Sequence, residues 1–392
     1  MKLYRLASLL ALVAMLAAAC SSAATPTEAP AATQPPAPAA TEPPAASPAA
    51  TQAAPAATAT LAMPTSKELN LYGWSDYVPQ QLLDDFTAKY NIAVNYDTYS
   101  SNEEMLAKLQ AGASGYDLVI PSDYTVQIML KQGMLEPIDL AQIPNFANLD
   151  PRFTNKEYDP GNKYSIPYQW GTTALVYDKT KVPFEPKKWA DLWDPKFKGR
   201  LVVLDDEREV PGMALQMLGF DKNSTDPAQL DQAKQKLIEL KPNILLFNSD
   251  DPETSLITGE TWAGLVFNGN AALAKQQDPN IEYICPEEGC GLWFDNLAIP
   301  KGAPHPDAAM AFLNFVLEPQ ESVLITKEFP YSNPNKAALD FLKANDPSTF
   351  DAYMNFAATN PPDSFLANAK EIKDVGEATT LYDQLWTEFK GQ

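Results

Sequence analysis

Between residues 69 and 284, short apolar runs alternate with amphipathic stretches, and this alternation restricts the chain to an α/β architecture with crossover helices. Leu69–Tyr72, Ile92–Tyr96, Tyr116–Ile120, Leu201–Leu204, Ile244–Phe247, Leu265–Phe267 and Ile281–Ile284 read as strands. Pro79–Tyr90, Ser101–Ala111, Thr125–Gly133, Pro211–Gly219, Pro227–Leu240 and Ala271–Gln277 read as helices. A sheet built this way offers ligands the loops at the carboxyl ends of its strands.

Those loops carry an unusual selection of residues. Trp74-Ser75-Asp76-Tyr77 follows the first strand, and Ser122-Asp123-Tyr124 follows the third. Asp205-Asp206-Glu207-Arg208-Glu209 and Ser249 follow the next two, and Asn268-Gly269-Asn270 follows Leu265–Phe267. Further on, Trp293-Phe294-Asp295 again sets rings beside a carboxylate. An aromatic face attracts a desolvated ammonium, and a carboxylate forms a charge-assisted hydrogen bond with it. The chain has a single His, His305, so imidazole chemistry has little to work with. This inventory suits holding an organic cation, and a polyamine in particular, better than breaking bonds.

Charge points the same way. A formal net charge of -21 argues against nucleic acid or an anionic lipid surface as a partner and suits a cationic ligand. Lys2 and Arg5, the apolar run Leu9–Ala19 and then Cys20 form an export signal over residues 1–20, with Cys20 expected to be lipidated. Residues 21–66 are rich in Ala, Pro and Thr, lack periodic apolar faces, and read as a disordered tether. Cys285 and Cys290 flank a Pro286–Gly289 turn in an exported chain, so a local disulfide is expected there, and too few metal ligands lie nearby for zinc. The remaining span exceeds the size at which one core stops growing, so two lobes are expected. Trp189, Trp193, Trp262, Trp386, Met213 and Met217 read as packing residues, and His305, between two prolines, as a surface loop residue.

Tyr72–Pro79, Tyr116–Tyr124, Ile166–Gly171, Trp189–Trp193, Asp205–Val210, Phe247–Asp250, Trp293–Pro300 and Tyr331–Asn335 together resemble the spermidine/putrescine-binding proteins of bacterial polyamine ABC importers. The resemblance implies a periplasmic-binding-protein fold of type II, each lobe a mixed sheet flanked by helices, hinged beneath a central cleft. Residues 67–173 and 297–335 would form lobe 1, and residues 174–296 and 336–392 lobe 2. The crossings would fall near Gly171–Tyr177 and Asn296–Pro300. Carried over residue by residue, Trp74, Tyr77, Tyr124, Trp293 and Tyr331 would wall the ligand with rings. Asp206, Glu209 and Asp295 would be its main anionic partners, joined by Asp76, and Ser75, Ser122 and Ser249 would add neutral hydrogen bonds. Departures are Phe267, where Trp is common, Ile372, where Gln is expected, and the charge of Asp123.

The implied protein is a monomeric receptor that binds spermidine or putrescine, needs no cofactor or metal, and hands its ligand to an ABC permease. It would sit outside the cytoplasmic membrane, anchored through Cys20. Two other readings compete with it. One is a receptor of the same fold for ferric ion, a sugar or another amine. The other is a glycoside hydrolase using Asp206 with Glu209 or Asp295 as its acid and base.

Overall fold

The computed structural model describes residues 63–112 and 115–391, so the leader, Cys20 and most of the tether lie outside the described residues. The strands are β1 (Glu68–Trp74), β2 (Ala93–Tyr99), β3 (Leu118–Val119), β4 (Ser165–Asp178), β5 (Leu201–Val203), β6 (Ile244–Phe247), β7 (Ala263–Phe267), β8 (Ile281–Ile284), β9 (Gly291–Ala298) and β10 (Lys370–Glu371). The helices through the middle of the chain are α1 (Gln80–Tyr90), α2 (Asn102–Gln110), α3 (Asp123–Lys131), α4 (Glu209–Met217), α5 (Pro227–Leu240), α6 (Glu253–Ile257) and α7 (Asn268–Gln277). After β9 come α8 (Pro306–Phe315), α9 (Pro319–Glu328), α10 (Lys336–Asn345), α11 (Pro347–Asn355), α12 (Asp363–Asn368) and α13 (Thr379–Gly391).

The strands form one mixed sheet in the order β2-β1-β3-β9-β4-β7-β5-β6, with β8 beside β4 and β10 beside β9. Pairing is parallel at both flanks, as the crossover helices require. In the middle it is antiparallel, because β4 and β9 run against each other and against β7 and β3, while the short β10 pairs parallel with β9. These two strands carry no helical or period-two signal, since nearly every residue of each is buried on both faces.

The interior is divided rather than continuous. Ile166, Tyr168, Trp293 and Leu297 pack with Leu71, Phe86 and Phe312, whereas Leu175 and Tyr177 pack with Leu201, Met213 and Leu237. Both sets include residues of β4, so that strand passes from one interior to the other around Gly171–Thr173. The partner strand β9 contributes Trp293 and Leu297 to the first interior.

The segment after Lys336 also departs from expectation. Instead of lying wholly against the α4–α5 side, it divides: α10 packs on α9, with Ala338 and Leu342 against Val323, while α13 packs on α4 and α5. The reason is patterning, because α10 places its small and branched residues on one stripe that fits α9.

His305 is another correction. Its backbone amide donates to Asp117 Oδ1 at 2.6 Å and its Nδ1 lies 3.0 Å from Oδ2, so it is a fixed, partly covered residue before α8. The end of the expected tether is likewise docked, since Asp307 accepts from the amides of Thr65 at 2.7 Å and Ser66 at 3.1 Å. Cys285 and Cys290 are joined in a disulfide, with Cα atoms 5.2 Å apart. Trp189, fully buried, sits in a 3₁₀ turn and donates to the Gly289 carbonyl at 2.7 Å.

The first interior hinges on Phe86 of α1, whose ring lies 5.1 Å from Phe312 and 5.4 Å from Phe315. Phe86→Ala leaves a cavity between α1 and α8 and is expected to cost about 3–5 kcal/mol. A lowered urea midpoint with an unchanged slope is the measurement that checks it.

Candidate functional site

The loops at the carboxyl ends of the strands meet in one cavity of about 590 Å³, its mouth included. Trp74, Ser75, Tyr77, Ser122, Tyr124, Asp206, Glu209, Ser249, Phe267, Trp293, Asp295 and Tyr331 all line it. The structure thus brings together every residue singled out for the ligand shell except Asp76. That residue is exposed, in the left-handed region at φ 46°, and its charge faces those of Asp250 and Asp251. Tyr99, Asn102, Asp250 and Ile372 complete the lining.

Rings form a continuous wall. Tyr99 lies 4.8 Å from Trp74, Trp74 lies 6.4 Å from Phe267, and Phe267 lies 6.1 Å from Trp293. From there Trp293 stands 5.8 Å from Tyr331, which stands 5.0 Å from Tyr77. Most of these contacts are edge-on or tilted, the arrangement that ring quadrupoles favour. Trp74 is fixed by its indole N–H, which donates to the Ile120 carbonyl at 3.0 Å, and its own carbonyl accepts from Tyr96. The indole nitrogen of Trp293 is buried without a partner.

Asp295 is the best-organised acid. Tyr77 donates its phenol to Oδ2 at 2.6 Å and Ser122 its hydroxyl to Oδ1 at 2.6 Å. Asn102 in turn donates to Ser122 Oγ at 2.9 Å and accepts from its amide at 3.0 Å. Full burial nonetheless pushes the Asp295 carboxyl up to about 7, with the two hydroxyls opposing the shift. The same burial and the adjoining Asp295 push the Tyr77 phenol well up.

Asp206 opens α4, where its Oδ1 accepts from the amides of Arg208 at 2.8 Å and Glu209 at 2.7 Å. Ser249 acts through backbone, accepting the Asp205 amide at 2.9 Å and so fixing the acid-rich loop. Tyr124 donates to Glu103 at 2.9 Å. Arg208 lies over the rings of Tyr124 at 5.6 Å and Tyr382 at 4.6 Å.

One feature escapes any reading of the sequence. Lys222 Nζ is 2.6 Å from Glu209 Oε2, and the two side chains are only 2% and 4% exposed. Burial pushes Glu209 up while Lys222 holds it down. Nothing in the surrounding residues of Lys222 marks it as more than a loop lysine. Asp123 is buried too, with Oδ1 unpaired, and burial together with Glu371 and Asp295 pushes it well up; it does not line the cavity.

A divided interior, a central strand shared between its parts, and an aromatic and acidic cavity at the strand ends define a solute receptor of the periplasmic-binding-protein type. Residues 81–358 match the bacterial extracellular solute-binding proteins, and the chain belongs to that family. It is 41% identical over 327 residues to the spermidine/putrescine-binding periplasmic protein of Escherichia coli, spanning 82% of this chain and 91% of that one. Among solved structures it is similar to a putative spermidine/putrescine ABC transporter protein from Listeria monocytogenes. That match has 33% identity and a TM-score of 0.78, covering 83% of this chain and 99% of the other. A Treponema pallidum lipoprotein is also similar, with 31% identity and a TM-score of 0.70, covering 83% of this chain and 100% of that one.

The raised Asp295 carboxyl has a consequence for stability. Between its ordinary value of 3.8 and about 7, the folded protein holds a proton that the unfolded chain has lost. Stability of the ligand-free protein therefore falls as pH rises through that window. Asp295→Asn removes this contribution, so the variant's melting temperature is expected to fall less than the parent's between about pH 5 and pH 7. Thermal unfolding of both proteins across that range is the check.

Proposed function

We propose that this receptor captures a polyamine in the ring-lined slot and delivers it to an ABC importer permease. The observation that carries the reading is the union, in one cavity, of the Trp74–Phe267–Trp293–Tyr331 wall with the carboxylates of Asp206 and Asp295. Amines of this type are protonated at neutral pH, near the lysine value. Each ammonium buried here needs an anionic partner, and the methylenes between them need apolar faces. The names of the similar proteins from Escherichia coli and Listeria monocytogenes support the same ligand class.

Binding couples to Asp295. An ammonium replaces water beside that carboxyl and favours its ionised form, which the Tyr77 and Ser122 hydroxyls already solvate. Neutral diols leave the acids buried without partners, and monoamines satisfy one of them only, so the site selects for spaced positive charge. Three charge-assisted bonds of about 2 kcal/mol each and about four ring contacts of about 1 kcal/mol each sum to roughly 10 kcal/mol before ordering costs. Micromolar affinity, near about -8 kcal/mol, follows from that difference.

In this reading the chain works as two lobes that close on the ligand. The first lobe comprises residues from 67 to about 170 with the β9 end and α8–α11, and the second comprises the remainder. Bending would concentrate at Gly171–Thr173 of β4 and at the start of β9. The similarity to a Treponema pallidum lipoprotein supports export with a lipid anchor at Cys20, and a monomer is the expected state.

Thermal shift with putrescine, spermidine, spermine, maltose, ferric citrate and ornithine is the direct test. Stabilisation by polyamines alone is expected. In an Asp206→Asn, Asp295→Asn double variant the affinity should drop about a hundredfold or more. Equal shifts in parent and variant would show that the acids are bystanders, and a response to maltose or ferric citrate would revive another ligand class.

A further inference from the structure

A buried cation, Lys222, pairs with Glu209, one of the acids that line the cavity. We infer that Lys222 is a built-in ammonium that occupies the Glu209 end of the slot, matching the remaining site to a linear diamine rather than a triamine. This rests on the polyamine reading above and specifies its ligand.

Three carboxylates are buried around the cavity: Asp206, Glu209 and Asp295. Glu209 is already paired, through the 2.6 Å contact from Lys222 Nζ, away from solvent. The placement is built into the backbone on two sides. A Cβ at Gly212, in α4, would stand 2.7 Å from Lys222 Cγ and 2.9 Å from Cε. A Cβ at Gly291, at the start of β9, would stand 2.8 Å from both Lys222 Nζ and Glu209 Oε2. Glycines on two separate elements therefore leave the channel through which the lysine reaches the acid.

A ligand ammonium entering beside Glu209 would meet this fixed positive charge, and displacing it would strand a buried lysine. Asp206 keeps one carboxylate oxygen beyond its amide bonds at Oδ1, and Asp295 faces the cavity between its two hydroxyls. Asp250 at the mouth is exposed and accepts from Ser100 at 2.9 Å. Two buried anions thus remain for two ammonium groups. Phe267 and Ile372 add apolar wall and offer no acceptor to a third.

Titration calorimetry of the full chain with putrescine, cadaverine, spermidine and spermine tests this. Wild type should bind putrescine at least about tenfold more tightly than spermidine, and in Lys222→Met the spermidine-to-putrescine affinity ratio should rise at least about tenfold. Lys222→Gln keeps an N–H donor for Glu209 and should shift the ratio in the same direction, which covers the case in which the Met variant fails to fold. Circular dichroism of the ligand-free variants reports folding separately. A wild-type preference for spermidine, or a ratio unchanged in a folded variant, overturns the inference while leaving polyamine binding intact. Absence of binding by every amine to wild type removes the polyamine reading itself, and the inference falls with it.

Discussion

Keeping a carboxyl group out of water is costly unless its oxygens are met by donors, and Asp295 is where this molecule meets that requirement. The donors come from two different places in the chain: Tyr77 after β1 and Ser122 before α3. Asp295 itself lies on β9, a strand shared with the centre of the sheet. One acid thereby ties three segments into a fixed geometry, and the rings of the cavity are arranged around it. Its burial also leaves it poised between two protonation states, so the group that organises the site is also one whose charge responds to what enters.

The site is divided between residues that touch the cavity and residues that hold those in place. Ser249 presents its hydroxyl to a backbone amide, and Asp206 spends one oxygen on the start of α4. Tyr353 donates to the Tyr331 carbonyl at 2.8 Å, which fixes one ring from behind. Rigid supports of this kind reduce the ordering that binding would otherwise require.

Much of this was legible in the sequence because strand-end loops rich in rings and acids are rare in structural roles. The flanking parallel units were legible through their alternation of strand and helix. The central strands were not, because β4 includes Pro167 and Gly171 and is buried on both faces, and β9 carries Asp295 and Asn296 in its middle. Their identity as strands comes from pairing partners distant in the chain. Lys222 illustrates the same limit: the two glycines that admit it lie 10 and 69 positions away in the sequence and mean nothing until the chain is folded. Asp76 shows the converse, a residue inside a telling motif that the left-handed turn at φ 46° carries out of the cavity wall.

Arg208 joins parts of the molecule that the slot itself does not. Its guanidinium lies between Tyr124, on α3, and Tyr382, on α13, and its Nη2 donates to the Lys373 carbonyl at 3.0 Å. Nearby, Lys131 of α3 reaches Asp374 at 2.6 Å. These contacts tie α3 to α13 and to the segment before it, so separating the two helices would peel a planar cation off an aromatic face. In the proposed two-lobed receptor, the balance between open and closed forms would then depend in part on Arg208 and Lys131, neither of which lines the cavity.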